Sequence, residues 1–258
     1  MSSEKVKVFP ALARPPLVEV VCGVVFDSFP ELDALVLGVY WNSRKEEYPG
    51  HSLQVALADD LSIENGVFPA RAVVVSADGQ FILQLQHDRF FMNWRATGGE
   101  YPRFSENHAP RGLLVRAMEE YERFCVFITD RFGRRPVARR IELTKIDLLR
   151  RGEHWRDLDD LATMIPMTSV FSKIQQSDNR DVNLRFVERA NSGAVVVHIA
   201  TMMDGDTPSS VRIEARRLAN PEADISAAFH SANTVLNEVF FSLIPAARDY
   251  FGEKKEGL

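Results

Sequence analysis

RGLLVRAMEEYERFCVFITDRFG, residues 111–133, decides the fold. Its apolar residues Leu113, Leu114, Ala117, Met118, Tyr121, Phe124, Cys125 and Ile128 recur every three or four positions. That spacing draws one stripe along a helix, so the segment reads as an amphipathic helix resting on a core. Pro110 suits its first turn and Gly133 its carboxyl cap. Glu119 and Glu120 are expected on its solvent side. The helix closes with Asp130-Arg131-Phe132-Gly133. A second long helix, expected from Asn220-Pro221 to about Phe251, closes in the same way with Asp249-Tyr250-Phe251-Gly252. Asn220 is its expected cap, and Pro245 is expected to kink it near the end.

What precedes each long helix is also alike. Leu17–Phe26 (LVEVVCGVVF) is a β-rich apolar run, followed by a short helix that Pro30 opens in PELDALVLGVYW. Residues 48–70 give weak signals. Ala70–Ser76, Gln80–Gln86 and Asp88–Arg95 read as an antiparallel meander that turns at Ala77-Asp78-Gly79. In the second half, Ala138–Leu149 is strand-like, with Ile141, Leu143 and Lys145 on one face. Trp155–Met164 is a short helix. Asp181–Glu188, Ala194–Met202 and Ser210–Leu218 are strands around turns at Asn191-Ser192-Gly193 and Asp204-Gly205-Asp206.

The expected fold class is therefore α+β: two βαβββα-like repeats forming an antiparallel sheet with two long helices packed on one face. The expected division is an extended arm over 1–16, a first repeat over 17–135 and a second over 136–258; one continuous domain is the alternative. Pro10, Pro15 and Pro16 keep the arm out of a helix. The other sheet face is left as a broad concave surface or as a homodimer interface.

Hydrophobic residues make up 45% and charged residues 26% of the 258, which excludes a disordered chain, a collagen and a coiled coil. No run of about 18 apolar residues occurs, so no membrane partner is expected. A formal net charge of −5 gives no global pull toward nucleic acid or anionic lipid. Cys22 and Cys125 sit in apolar runs and read as reduced core thiols, which points to the cytoplasm. The opening MSSEKVKVFPALARPP has no signal-peptide pattern.

Three short motifs carry a resemblance over nearly the whole chain. They are Pro15-Pro16-Leu17-Val18-Glu19, Tyr101-Pro102-Arg103-Phe104 and Arg140-Ile141-Glu142-Leu143-Thr144-Lys145-Ile146-Asp147. Together they resemble a sporadically distributed bacterial family of uncharacterised proteins of about this length. That family's mid-chain strand reads Arg-Ile-x-Leu-Arg-Tyr-Ile-Asn; here Thr144-Lys145 replaces Arg-Tyr and Asp147 replaces Asn. The resemblance implies no catalytic residue and no cofactor. The family's scattered distribution implies a setting in mobile or defence-related gene neighbourhoods.

The residues themselves offer no catalytic or metal site. None of the six histidines pairs at i, i+2 or i, i+4, and there is no HExxH, GxSxG, phosphate loop or GxGxxG. His198, in VVVHIA, reads as a structural histidine that alternation could turn inward. Asp204-Gly205-Asp206 lacks the rest of a calcium loop. Asp157, Asp159 and Asp160 suit the start of a short helix.

One charge anomaly stands out. Residues 131–151 hold eight cations against Glu142 and Asp147, a balance of +6, so the rest of the chain carries −11. Arg134, Arg135, Arg139 and Arg140 are the expected contacts to an anion or an acidic partner. Strand alternation from Arg139 onward splits these side chains between two faces. Phe90, Phe91 and Trp94, flanked by Arg89 and Arg95, could stack nucleobases or fill the core. The expected function is non-enzymatic binding of a protein partner, in a bacterial defence or toxin-regulating system. The alternatives are nucleic-acid binding by the sheet face and the basic segment, and an enzyme with a dispersed site.

Overall fold

The structure is a computed structural model and describes residues 9–57, 70–98, 101–104, 112–169, 182–205, 207–221 and 224–254. Among the described residues nine strands are β1 (Leu17–Phe26), β2 (Gly50–Val55), β3 (Ala70–Val75), β4 (Phe81–Gln86), β5 (Arg89–Arg95), β6 (Ala138–Arg150), β7 (Asn183–Ala190), β8 (Gly193–Asp204) and β9 (Thr207–Ala219). Among the described residues the α-helices are α1 (Ala34–Arg44), α2 (Leu113–Phe132), α3 (Leu158–Met164), α4 (Ile225–Leu243) and α5 (Ala247–Phe251). The fold is α+β. The strands form one sheet in the order β2-β3-β4-β5-β1-β6-β9-β8-β7. Its pairings are antiparallel, as the registers of β1 with β5, β2 with β3, β3 with β4, β4 with β5 and β7 with β8 record. No helix among the described residues is long and apolar enough to cross a membrane.

The chain divides into two compact units. One comprises Glu19–Leu143 and Leu218–His230. The other comprises Met1–Val18, Thr144–Arg217 and Ser231–Leu258. One boundary between these units runs through β6, at Leu143/Thr144.

In the first unit, alternation along each strand separates two faces. Val20, Cys22, Val24, Leu83, Leu85, Phe90, Met92 and Trp94 share one face and are buried. The α2 stripe lies over them, with the Phe90 ring 5.6 Å from both Tyr121 and Phe124. Tyr40 of α1 meets Phe124 edge-on at 5.3 Å. The opposite face carries a hydrogen-bonded polar row. Arg71 bonds Gln54 at 2.6 Å and Gln84 at 2.8 Å, Gln84 donates to Asn93 at 2.9 Å, and Asn93 donates to Glu19 at 2.5 Å.

The helix ends follow capping chemistry. Asp33 accepts from the amides of Leu35 and Val36 at 2.9 Å, so α1 begins at Ala34 and not at Pro30, which lies in the preceding turn. Gly133 adopts φ 69° and its amide donates to the Thr129 carbonyl at 2.8 Å, closing α2. Pro110, the expected opener of α2, lies outside the described residues. The expected Asn220 cap of α4 is replaced by Asp224, which accepts from the Ser226 amide at 2.8 Å.

In the second unit, the expected arm is partly a pairing segment. The Ala13 and Arg14 amides donate to the carbonyls of Gly252 and Phe251 at 3.0 Å, and the Lys254 amide donates to Ala11 at 2.7 Å. Phe9 stacks on Phe241 at 5.4 Å. The side chain of Asp157 caps α3, and buried Trp155 donates to the Leu149 carbonyl at 2.9 Å. Pro245 does more than kink the last helix. It separates α4 from α5, because a proline has no amide to continue the ladder.

Candidate partner-binding surface

The basic segment begins where Gly133 ends α2 and continues into β6. Arg134 lies 4.1 Å over the Phe29 ring and pairs with Glu31 at 3.0 Å. Arg139 forks onto Asp27 at 2.6 and 2.7 Å. Arg139 is the main cause that holds the Asp27 carboxyl below its usual range, and Arg134 adds to it. Those two arginines therefore converge. Arg135 turns toward α2 and grips both oxygens of Glu122, one at 2.9 Å. That grip lowers the Glu122 carboxyl and raises the Arg135 guanidinium. Arg140 pairs with Glu142 at 2.7 Å.

Strand alternation splits the set. Arg139 meets Asp27, while Arg140 and Glu142 lie on the other face of β6. Arg134, Arg135 and Arg139 keep 49%, 51% and 62% of their side-chain surface exposed, against 30% for Arg140. Val137 stands exposed between Arg135 and Arg139 in the chain. The surface is a set of held guanidiniums of mixed local charge, with an exposed apolar residue between two of them in sequence.

The aromatic trio is placed in the core. Phe90, Phe91 and Trp94 are buried; Trp94 packs against Tyr101 at 5.0 Å, and Phe91 fills the space above Gly23. As placed, none of the three presents a ring face to a nucleobase. His198 stands off the buried face of β8, where its Nε2 meets Asn183 Oδ1 at 2.8 Å; it is not turned inward. Cys22 and Cys125 are buried free thiols, and burial pushes Cys125 up to about 11.

Two polar clusters were missed. Glu120, expected on the solvent side of α2, is buried, and its Oε1 accepts from Arg44 and from Arg123 at 2.9 Å each. The spacing held the signal, since 120 lies three after Ala117 and four before Phe124. In the second unit, Lys145 donates to Asn237 of α4 at 2.6 Å. Asp147, two residues along the same strand face, is buried. Burial pushes its carboxyl up to about 7, and Lys145 partly offsets that rise. Alternation from Leu143 through Lys145 reaches Asp147, so this position was also legible.

No protein-family model, no curated protein and no solved structure matches this chain. Fold and surface define it as an α+β protein built on a nine-stranded sheet.

Proposed function

We propose that this is a non-enzymatic interaction protein that engages a protein partner through Arg134, Arg135 and Arg139. Its setting is the bacterial defence or toxin-regulating one that the family resemblance implies. One observation carries the reading. Three half-exposed guanidiniums are each held by a carboxylate of their own chain, and Val137, next to them in sequence, is exposed. Held arginines lose less conformational freedom on binding, and arginine is enriched in protein interfaces. Mixed local charge favours a protein surface over a phosphate backbone, which calls for uncompensated positive charge. Arg140 is left out of the contact because it faces the other side of β6.

We also infer that the chain is a duplication. From β1 outward the strand order is β5, β4, β3, and from β6 outward it is β9, β8, β7. A short helix follows β1 and β6 alike, and a long helix follows β5 and β9 alike. Among the described residues β2 has no counterpart.

The test is affinity purification of the tagged chain from its native cell, beside the variant R135E/R139E. A single protein recovered in near-stoichiometric amount by the wild type, and lost by a variant with an unchanged melting temperature, supports the reading. Recovery of the wild type alone at normal expression, or the same protein on both baits, overturns it.

A further inference from the structure

Among the described residues β2 ends the sheet on one side and β7 on the other. An open edge offers unpaired amides and carbonyls, and soluble proteins guard such edges with charges or prolines. β7 is guarded by Arg185, Glu188 and Arg189. β2, with the sequence GHSLQV, holds no Asp, Glu, Lys, Arg or Pro. The direction of its bonding follows from its neighbours. The Ser76 amide donates to the Phe81 carbonyl at 2.9 Å, so in the β3–β4 register the even-numbered residues of β3 bond toward β4 and the odd-numbered ones toward β2. Gly50, Ser52 and Gln54 face those odd-numbered residues and bond to β3. The backbone groups of His51, Leu53 and Val55 therefore point to the open edge.

The same three residues share one side-chain face. Their β3 partners are Val74, Ala72 and Ala70. Val74 and Ala72 are buried on the core face with Leu83 and Leu85. The Trp41 ring of α1 stands 3.9 Å from that of His51, yet Leu53 and Val55 beyond it stay 62% and 67% exposed. The core face of the first unit thus runs out to this edge and ends there in bare apolar side chains. Burying them against a partner strand would remove that apolar surface from water and pair the open backbone groups together.

We propose that β2 pairs with β2 of a second copy of this chain, antiparallel about a two-fold axis at Leu53. Antiparallel partners must match in parity, because both residues of a pair turn their backbone groups either toward or away from each other. An axis at Leu53 sets Leu53 against Leu53 of the partner subunit and His51 against Val55 of the partner subunit. Every outward amide and carbonyl of these residues is then paired. On the other face Ser52 meets Gln54 of the partner subunit, polar on polar. An axis at Ser52 or at Gln54 would leave Val55 or His51 outside the pairing. A second copy fits better than a foreign strand because β2 is its own complement. It has no charge to repel its copy or to select another sequence, and one register matches leucine with leucine and serine with glutamine. The pairing involves none of Arg134, Arg135 and Arg139, so it does not rest on the partner surface above.

The test is sedimentation velocity of the full chain from about 1 to about 300 µM, beside two cysteine variants. Pairing over the 6 residues of β2 buries less than a standard interface, so the dimer forms with a dissociation constant on the order of 10 µM. L53K sets two like charges on the axis and weakens association about tenfold or more, while its melting temperature in dilute solution matches the wild type because the side chain is exposed. L53C links two copies through a disulfide on mild oxidation, since hydrogen-bonded partners across an antiparallel pair stand about 5.5 Å apart at Cα. Q54C, which stands opposite Ser52 and not opposite itself, links far more slowly, and buried Cys22 and Cys125 leave the wild type unlinked. R135E/R139E dimerises like the wild type. A chain that stays monomeric at the highest concentration, L53K that associates like the wild type, L53C that links no faster than Q54C, or a dimer lost in R135E/R139E overturns the proposal.

Discussion

Arg44 on α1 and Glu120 on α2, 76 residues apart in sequence, meet at 2.9 Å. Arg123 reaches the same carboxylate oxygen at 2.9 Å, while the other oxygen of Glu120 has no hydrogen-bond partner among the described residues. Burial, with the Glu120 charge adding to it, holds the hydroxyls of Tyr40 and Tyr48 above their usual range. The junction between α1 and α2 is thus ionic at its centre and aromatic around it. Removing one partner of a buried pair strands the other charge. E120Q is expected to destabilise the chain by about 3 kcal/mol, the low end of the usual range because Arg123 is half exposed. The double variant R44M/E120L recovers part of that loss, since no buried charge is then left alone. Urea denaturation of the three proteins checks both statements.

Gly23 and Phe91 pack closely across the sheet. A Cβ at Gly23 would stand 2.3 Å from Phe91 Cδ1 and Cε1. The two residues are opposed across β1 and β5, so the ring lies over the glycine and completes the packing there. G23A must displace a buried ring or bend β1, and it is expected to cost about 1–3 kcal/mol. F91L in the G23A background relieves the clash, so the double variant loses less than the two single changes together. Denaturation midpoints of the four proteins of this cycle decide it; strict additivity would remove the packing role given to Phe91.

Much of the architecture could be read from residue order because it depends on local periodicity. The α2 stripe, the Gly133 cap, the β3–β5 meander and the β7–β8 hairpin are short-range patterns, and all stand within a few residues of their expected bounds. β2 was not legible. Its residues Ser52–Val55 are exposed at a sheet edge, so no burial imposed a pattern on GHSLQV. Glu120 and Asp147 misled for another reason. A charged residue on an apolar stripe reads as surface until its surroundings are known; Arg44, which meets Glu120, and Asn237, which meets Asp147's neighbour Lys145, are distant in sequence. The arginine surface depends likewise on Glu31, Asp27 and Glu122, which no sequence spacing ties to it.

Asp33 sets where α1 begins. It accepts from two amides that the first turn would otherwise leave unbonded. D33A is expected to cost about 1 kcal/mol, and D33N much less, since asparagine caps as well. A difference of about 2–4 °C in melting temperature between D33A and D33N would follow. Equal melting temperatures would show that Pro30 and the Phe29–Leu32 turn, not Asp33, hold the start of the helix.

Asp147 gives the folded state its own dependence on pH. Its carboxyl ionises near 3.8 in an unfolded chain and at about 7 in the folded one, because burial disfavours the charge more than Lys145 favours it. Between those values the folded chain binds a proton that the unfolded chain has released. Rising pH therefore favours unfolding across that window, by at most about 1.4 kcal/mol per pH unit, and the loss is complete above pH 7. The carboxyls of Asp88, Asp27, Glu122 and Glu214 are shifted the other way, so the stability they contribute is lost only as pH falls below the ordinary carboxylate range. The two effects occupy different windows. D147N removes the first alone. Its melting temperature is expected to overtake that of the wild type progressively from pH 5 to pH 7 and to keep a constant lead up to pH 8. A wild-type-to-D147N difference that stays flat from pH 5 to pH 8 would mean that Asp147 is already ionised in the folded chain, with Lys145 fully compensating its burial.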